Sequence, residues 1–152
     1  GFKYNLTDMA AALGVSQLNK ADRFWKARDR LAALYSEGFR DVPEIICPSA
    51  AAYVQHSWHL YVIQLNLEGL RIDRNEFIAQ LQRAGIGCSV HFIPLHLHPY
   101  YRNTYGYQPT DFPTAQAAFE RIVSLPLYPK MTEGDIQRVI TVVRDIVKGN
   151  RR

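Results

Sequence analysis

The chain has 152 residues, 47% hydrophobic and 12% aromatic, which suits one domain with a substantial core. Its 18 Lys and Arg stand against 14 Asp and Glu, and this net charge of +4 is scattered except at Arg23, Lys26, Arg28 and Arg30, whose predicted helix reads as having a solvated basic face rather than a nucleic-acid footprint. No apolar run reaches the roughly 18 residues of a membrane span and no signal-peptide pattern opens the chain, so a cytoplasmic protein with no membrane and no nucleic-acid partner is expected.

The chain begins Gly1-Phe2-Lys3-Tyr4-Asn5 without an initiator Met, as if entered in the middle of a longer polypeptide. Thr7 or Asn5 caps a helix starting near Asp8, and Met9, Leu13 and Leu18 with Ala10, Ala11 and Ala12 give it an apolar surface suited to close packing. A second helix runs from about Ala21 to Ser36 with Phe24, Leu31, Leu34 and Tyr35 on one side, and Gly38 ends it. The stretch from Val42 to Tyr53, with Pro43 and Pro48, reads as an extended connection.

His59 to Leu65 is rich in strand formers and reads as a strand, with Trp58 and His59 as packing residues at its head. Asp73 and Glu76 form a capping box for a helix through Arg83, stopped by Gly85. Gly87 to Phe92 is a predicted strand on which Val90 and Phe92 pack inward while His91 emerges on the other face, and Pro94 opens a loop where His96 is free to meet a ligand. The loop to Tyr107 is dense in aromatics; Tyr100, Tyr101, Tyr105 and Tyr107 read as its packed body. A short helix from Ala115 to Val123, an extended Ser124 to Pro129, and a helix opened by Thr132 and Asp135 and running to about Lys148 complete the chain. Three or so strands among helices imply an α+β fold, a small mostly antiparallel sheet covered by helices.

Two chemical readings of this region are set aside. His96 and His98 with Cys88 and His91 make a weak metal set, since no acidic residue lies nearby before Asp111. Cys88 and His91, three residues apart on a strand, point to opposite faces and do not make a nucleophile and base. Cys47 and Cys88 are expected to be reduced and partly buried.

Gly1-Phe2-Lys3-Tyr4-Asn5-Leu6-Thr7-Asp8, Ser57-Trp58-His59-Leu60-Tyr61, Gly85-Ile86-Gly87, Val90 to His96 and Ser124-Leu125-Pro126-Leu127-Tyr128-Pro129 together resemble the C-terminal part of DegT/StrS-type nucleotide-sugar aminotransferases. The opening octapeptide is most similar to the branch that aminates a UDP-linked keto-pentose to a 4-amino-4-deoxy-arabinose. The resemblance implies the small domain of a fold-type I enzyme dependent on pyridoxal phosphate. In such an enzyme a lysine holds the cofactor as a Schiff base, glutamate donates the amine, and a nucleotide-linked keto sugar accepts it. It implies a homodimer with sites built across the interface, and a place in cell-surface polysaccharide, lipid or antibiotic-sugar biosynthesis.

Residue by residue, the resemblance puts Lys3 and Asn5 where the family's asparagine and arginine reach the phosphate of the partner subunit's cofactor; which of the two acts is open. Tyr4, His91 and His96 fall at substrate-facing positions, and Phe92 replaces the family's tyrosine. Residues 1–38 correspond to a helical arm and dimer contact, and 39–152 to the small domain. None of Lys3, Lys20, Lys26, Lys130 and Lys148 sits in the family's Schiff-base setting, so the large lysine-bearing domain is expected to lie outside these residues and the chain alone to be inactive. The alternative is a non-catalytic module that binds a sugar nucleotide or dimerises.

Overall fold

A computed structural model describes residues 4–152; Lys3 lies outside the described residues. The chain opens with α1 (Asp8–Leu18), capped by Thr7, whose Oγ1 accepts from the Ala10 amide at 3.3 Å. Thr7 is thus the cap used of the two the sequence allows. Then come α2 (Ala21–Gly38), β1 (Ile45–Ile46), β2 (Tyr61–Leu65), α3 (Arg74–Arg83), α4 (Pro99–Tyr105), α5 (Pro113–Phe119), β3 (Ile122–Leu125) and α6 (Glu133–Asn150).

The strands form one antiparallel sheet in the order β1-β2-β3, with Ile45 opposite Leu65 and Ile63 opposite Val123. Tyr61, Ile63 and Leu65 are buried and Gln64 is exposed, the alternation of a strand with one face on a core. Val123 and Leu125 join the same core from β3. Three helices complete it: α2 supplies Leu31, Ala32 and Tyr35, and α3 supplies Phe77 and Leu81. α6 supplies Ile136, Val139, Ile140, Val143, Ile146 and Val147, a stripe at helical spacing. Each such side chain, fully buried, contributes roughly 1.5–3 kcal/mol relative to exposure. The α+β arrangement expected from the sequence is the one observed.

Several boundaries differ from the sequence reading. Gly87 to Phe92 is no regular strand: only Ser89 bridges to β3, at Ser124. In that register the next hydrogen-bonded pair would join Gly87 to Pro126, and Pro126 has no N–H to give. Phe92 does not pack inward but is 74% exposed. The helix predicted to reach Val123 stops at Phe119, because the β-branched Ile122 and Val123 pair with β2. β2 starts at Tyr61 rather than His59. The capping box of α3 is half made: Asp73 Oδ1 accepts from the Glu76 amide at 2.8 Å, but the Glu76 carboxylate turns to Gln80 and Arg83.

Candidate functional site

Ser124 sits on the sheet face opposite Val123 and Leu125, yet it is only 4% exposed. Its neighbour there is the 87–91 segment. Ser89 and Ser124 exchange both backbone bonds, the Ser124 amide to the Ser89 carbonyl at 2.8 Å and the Ser89 amide to the Ser124 carbonyl at 3.2 Å. That single bridge anchors the chain two residues before His91. The imidazole returns over the sheet, and its Nδ1 lies 2.8 Å from Ser124 Oγ. His91 also meets Phe92 edge to face, with ring centroids 4.8 Å apart.

His91 and Ser124 line a depression of about 350 Å³ with Leu60, Cys88 and the Leu125–Leu127 segment. Its walls are tied down from the core side. The Tyr35 hydroxyl donates to the Pro126 carbonyl at 2.8 Å, and burial pushes its pKa up, which keeps it a donor. Arg28 Nη1 donates to the carbonyls of Trp58, His59 and Leu127 at 2.9, 3.1 and 3.2 Å. This explains why β2 begins late: the backbone at Trp58 and His59 is committed to Arg28. Arg28 is therefore not part of a solvated basic face, whereas Arg23, Lys26 and Arg30 are exposed as expected. Trp58 is half-buried against the core and His59 is exposed. Burial pushes the Cys88 thiol up, the wrong direction for an activated nucleophile.

His96 stands apart from His91. It lies on one turn of 3-10 helix (Leu95–Leu97), is 6% exposed, and packs on Phe112 at 4.9 Å. Its Nε2 is buried without a protein partner. His96 lines a different depression, of about 670 Å³, walled by Tyr101, Tyr105, Tyr107 and Phe112. Tyr101 stacks on Tyr105 and Tyr105 on Tyr107, so the tyrosines do form the body of this loop, while Tyr100 and Tyr105 keep 65% and 58% of their surface exposed. Among the described residues no three His, Cys, Asp or Glu side chains gather to hold a metal ion, and no helix is long and apolar enough to cross a membrane.

Tyr4 and Asn5 lie in the segment ahead of α1, both exposed. α1 itself buries no side chain: Met9 and Leu13 are 82% and 66% exposed. Asn5 carries an exposed side-chain amide, and no lysine lines either depression. The lining of these depressions thus holds no amine that could bond the cofactor's aldehyde. Ser124 and Arg28 are the residues that sequence reasoning missed. Arg28 had a signal, for it falls at i+4 from Phe24 and i−3 from Leu31, on the apolar stripe of α2.

The model of the DegT/DnrJ/EryC1/StrS aminotransferase family matches residues 1–144. The protein MJ1066 of Methanocaldococcus jannaschii is 48% identical over 151 residues, 99% of this chain and 39% of its own length. The spore coat polysaccharide biosynthesis protein SpsC of Bacillus subtilis is 45% identical over 150 residues, 98% of this chain and 39% of its own. Among solved structures, the PLP form of Spr1654 from Streptococcus pneumoniae, named as a sugar aminotransferase, superposes with a TM-score of 0.86 at 31% identity over 95% of this chain and 36% of that one. The chain thus spans about two fifths of the length of these relatives, and it belongs to the DegT/DnrJ/EryC1/StrS aminotransferase family.

Proposed function

We propose that these residues form the accessory wall of a cytoplasmic, homodimeric aminotransferase that moves an amino group from glutamate to a nucleotide-linked keto sugar. The product would serve cell-surface polysaccharide, lipid or antibiotic-sugar biosynthesis. The likeness to a spore coat polysaccharide protein and to a PLP-bearing sugar aminotransferase supports the sugar and the cofactor. The observation that carries the reading is His91, a polar ring held by Ser124 on the sheet face away from the core and beside an apolar depression.

Pyridoxal phosphate, when bound, supplies the electron sink and carries the amine between donor and acceptor. The chain's own residues bind and orient. Asn5, with Lys3, neutralises or hydrogen-bonds the phosphate of the partner subunit's cofactor. His91 hydrogen-bonds a sugar hydroxyl or diphosphate oxygen, Tyr4 joins that surface in the assembled dimer, and His96 meets substrate only by way of the separate depression that it lines. The exposed side chains of α1, Met9 and Leu13 among them, supply the dimer contact. The lysine that bonds the cofactor lies outside these 152 residues.

The test is a pair of single-turnover measurements on the polypeptide that contains this segment. His91→Asn keeps the fold, weakens use of the keto sugar and leaves the glutamate half-reaction nearly intact. Equal losses in both half-reactions would make His91 a cofactor or structural residue instead.

A further inference from the structure

Ser124 is only 4% exposed, and the one hydrogen-bond partner of its hydroxyl among the described residues is His91 Nδ1. A hydroxyl both donates and accepts, and a neutral imidazole carries its proton on one nitrogen only. Two arrangements satisfy the 2.8 Å contact. If Nδ1–H donates to Ser124 Oγ, the proton of this largely buried serine has no protein acceptor among the described residues. If Ser124 Oγ–H donates to Nδ1, both groups are satisfied at once. A buried donor without a partner is costly, so the second arrangement dominates.

We infer that Ser124 is a positioning residue that locks His91 in the Nε2–H form, so that the ring presents a hydrogen-bond donor to an oxygen acceptor on the nucleotide sugar. The acceptor is a carbonyl, hydroxyl or diphosphate oxygen; a group that must itself donate to the ring is disfavoured. The lock has a rigid base. Ser124 is in the middle of β3, paired with Val62 on one side and bridged to Ser89 on the other, so its Cα has little freedom. The imidazole is held at both ends, by the Ser89 bridge through two residues of backbone and by the hydroxyl at Nδ1. Nε2 has no protein partner among the described residues, so the donor is available to a ligand. This role rests on the reading of His91 as a substrate-facing residue.

Ring-15N histidine NMR on the full polypeptide, with His91→Asn to assign the resonance, reports the tautomer directly. A protonated Nε2 and an unprotonated Nδ1 are expected in the parent, a mixture of tautomers in Ser124→Ala, and recovery of the single form in Ser124→Thr. Ser124→Cys, near in volume and a weak donor, serves if the alanine variant does not fold. In the keto-sugar half-reaction Ser124→Ala raises KM about fivefold with little change in kcat, the loss of one net hydrogen bond, and Ser124→Thr restores it.

An Nδ1–H tautomer in the parent, or an unchanged tautomer in Ser124→Ala, overturns the lock. So does a normal KM in Ser124→Ala when His91→Asn raises it. If the tautomers behave as expected but His91→Asn leaves the keto-sugar half-reaction untouched, the donor role falls with the substrate-facing reading of His91, and the failure is assigned to that reading.

Discussion

Gly38 closes α2 where that helix meets α6, and its hydrogen is the reason the two can approach. A Cβ there would stand 2.5 Å from Ile140 Cδ1, 2.9 Å from Cγ1 and 3.0 Å from Cγ2. Ile140 is 4% exposed and has little room to turn. The Gly38 carbonyl is also fixed, accepting from Arg144 Nη1 at 2.8 Å, and Arg144 holds Asp41 with both terminal nitrogens. Overpacking of this kind costs roughly 1–3 kcal/mol, and the helix preference of Ala over Gly returns at most about 1 kcal/mol, less at a final residue. Gly38→Ala should therefore destabilise by about 1–2 kcal/mol. Ile140→Val removes the Cδ1 responsible for the shortest contact and costs about 0.5–1.5 kcal/mol alone. In that background Gly38→Ala should cost about 1 kcal/mol less, a partial relief because two methyls remain close. Urea unfolding of all four forms, with equal m-values, measures the coupling. Additivity within about 0.3–0.5 kcal/mol, or a neutral Gly38→Ala, would refute the close crossing.

Glu44 is 5% exposed and its carboxylate takes bonds from Arg151 at 2.6 and 2.8 Å, which hold its pKa below the ordinary 4.5. Because the folded value is lowered, this pair stabilises fully above about pH 4.5 and its contribution fades as pH falls through the lowered value. Arg151→Met should thus lower the thermal midpoint at neutral pH, with the gap from the parent closing below pH 4.5; a gap indifferent to pH would contradict this. Thr132 Oγ1 accepts from the Asp135 amide at 3.1 Å and the Asp135 carboxylate returns to the Thr132 amide at 2.8 Å. Thr132→Ala should cost about 1 kcal/mol in denaturant unfolding. Cys88, its thiol pushed up by burial, should alkylate more slowly at pH 8 than a free cysteine and speed up on unfolding.

The helices were legible because their signals are local. α6 carries its capping box at Thr132 and Asp135 and an uninterrupted apolar stripe, and α3 shows its Asp73 cap. β2 was legible from its run of strand formers. The Gly87 to Phe92 segment is hard to read because whether it extends a sheet depends on its register with Pro126, 39 residues beyond Gly87 and outside the reach of any local cue. The same dependence hid Ser124, whose importance arises only when His91 crosses the sheet to it. The sequence places His96 in a loop, free to face a ligand; the aromatic packing that buries it against Phe112 is not written at any fixed spacing. Arg28 does have a local signal, a charged residue placed on an apolar stripe, and there it holds the part-buried carbonyls of Trp58 and Leu127.

Whether the proposed amino transfer takes place is decided by following the nitrogen. The polypeptide containing this segment is loaded with pyridoxal phosphate and given 15N-glutamate with a nucleotide-linked keto sugar. Mass spectrometry of the nucleotide sugar should then show one 15N gained, only when the cofactor is present. Binding of the nucleotide sugar with no 15N in it, under conditions where the cofactor is bound, would contradict the account and leave a sugar-nucleotide-binding module in its place.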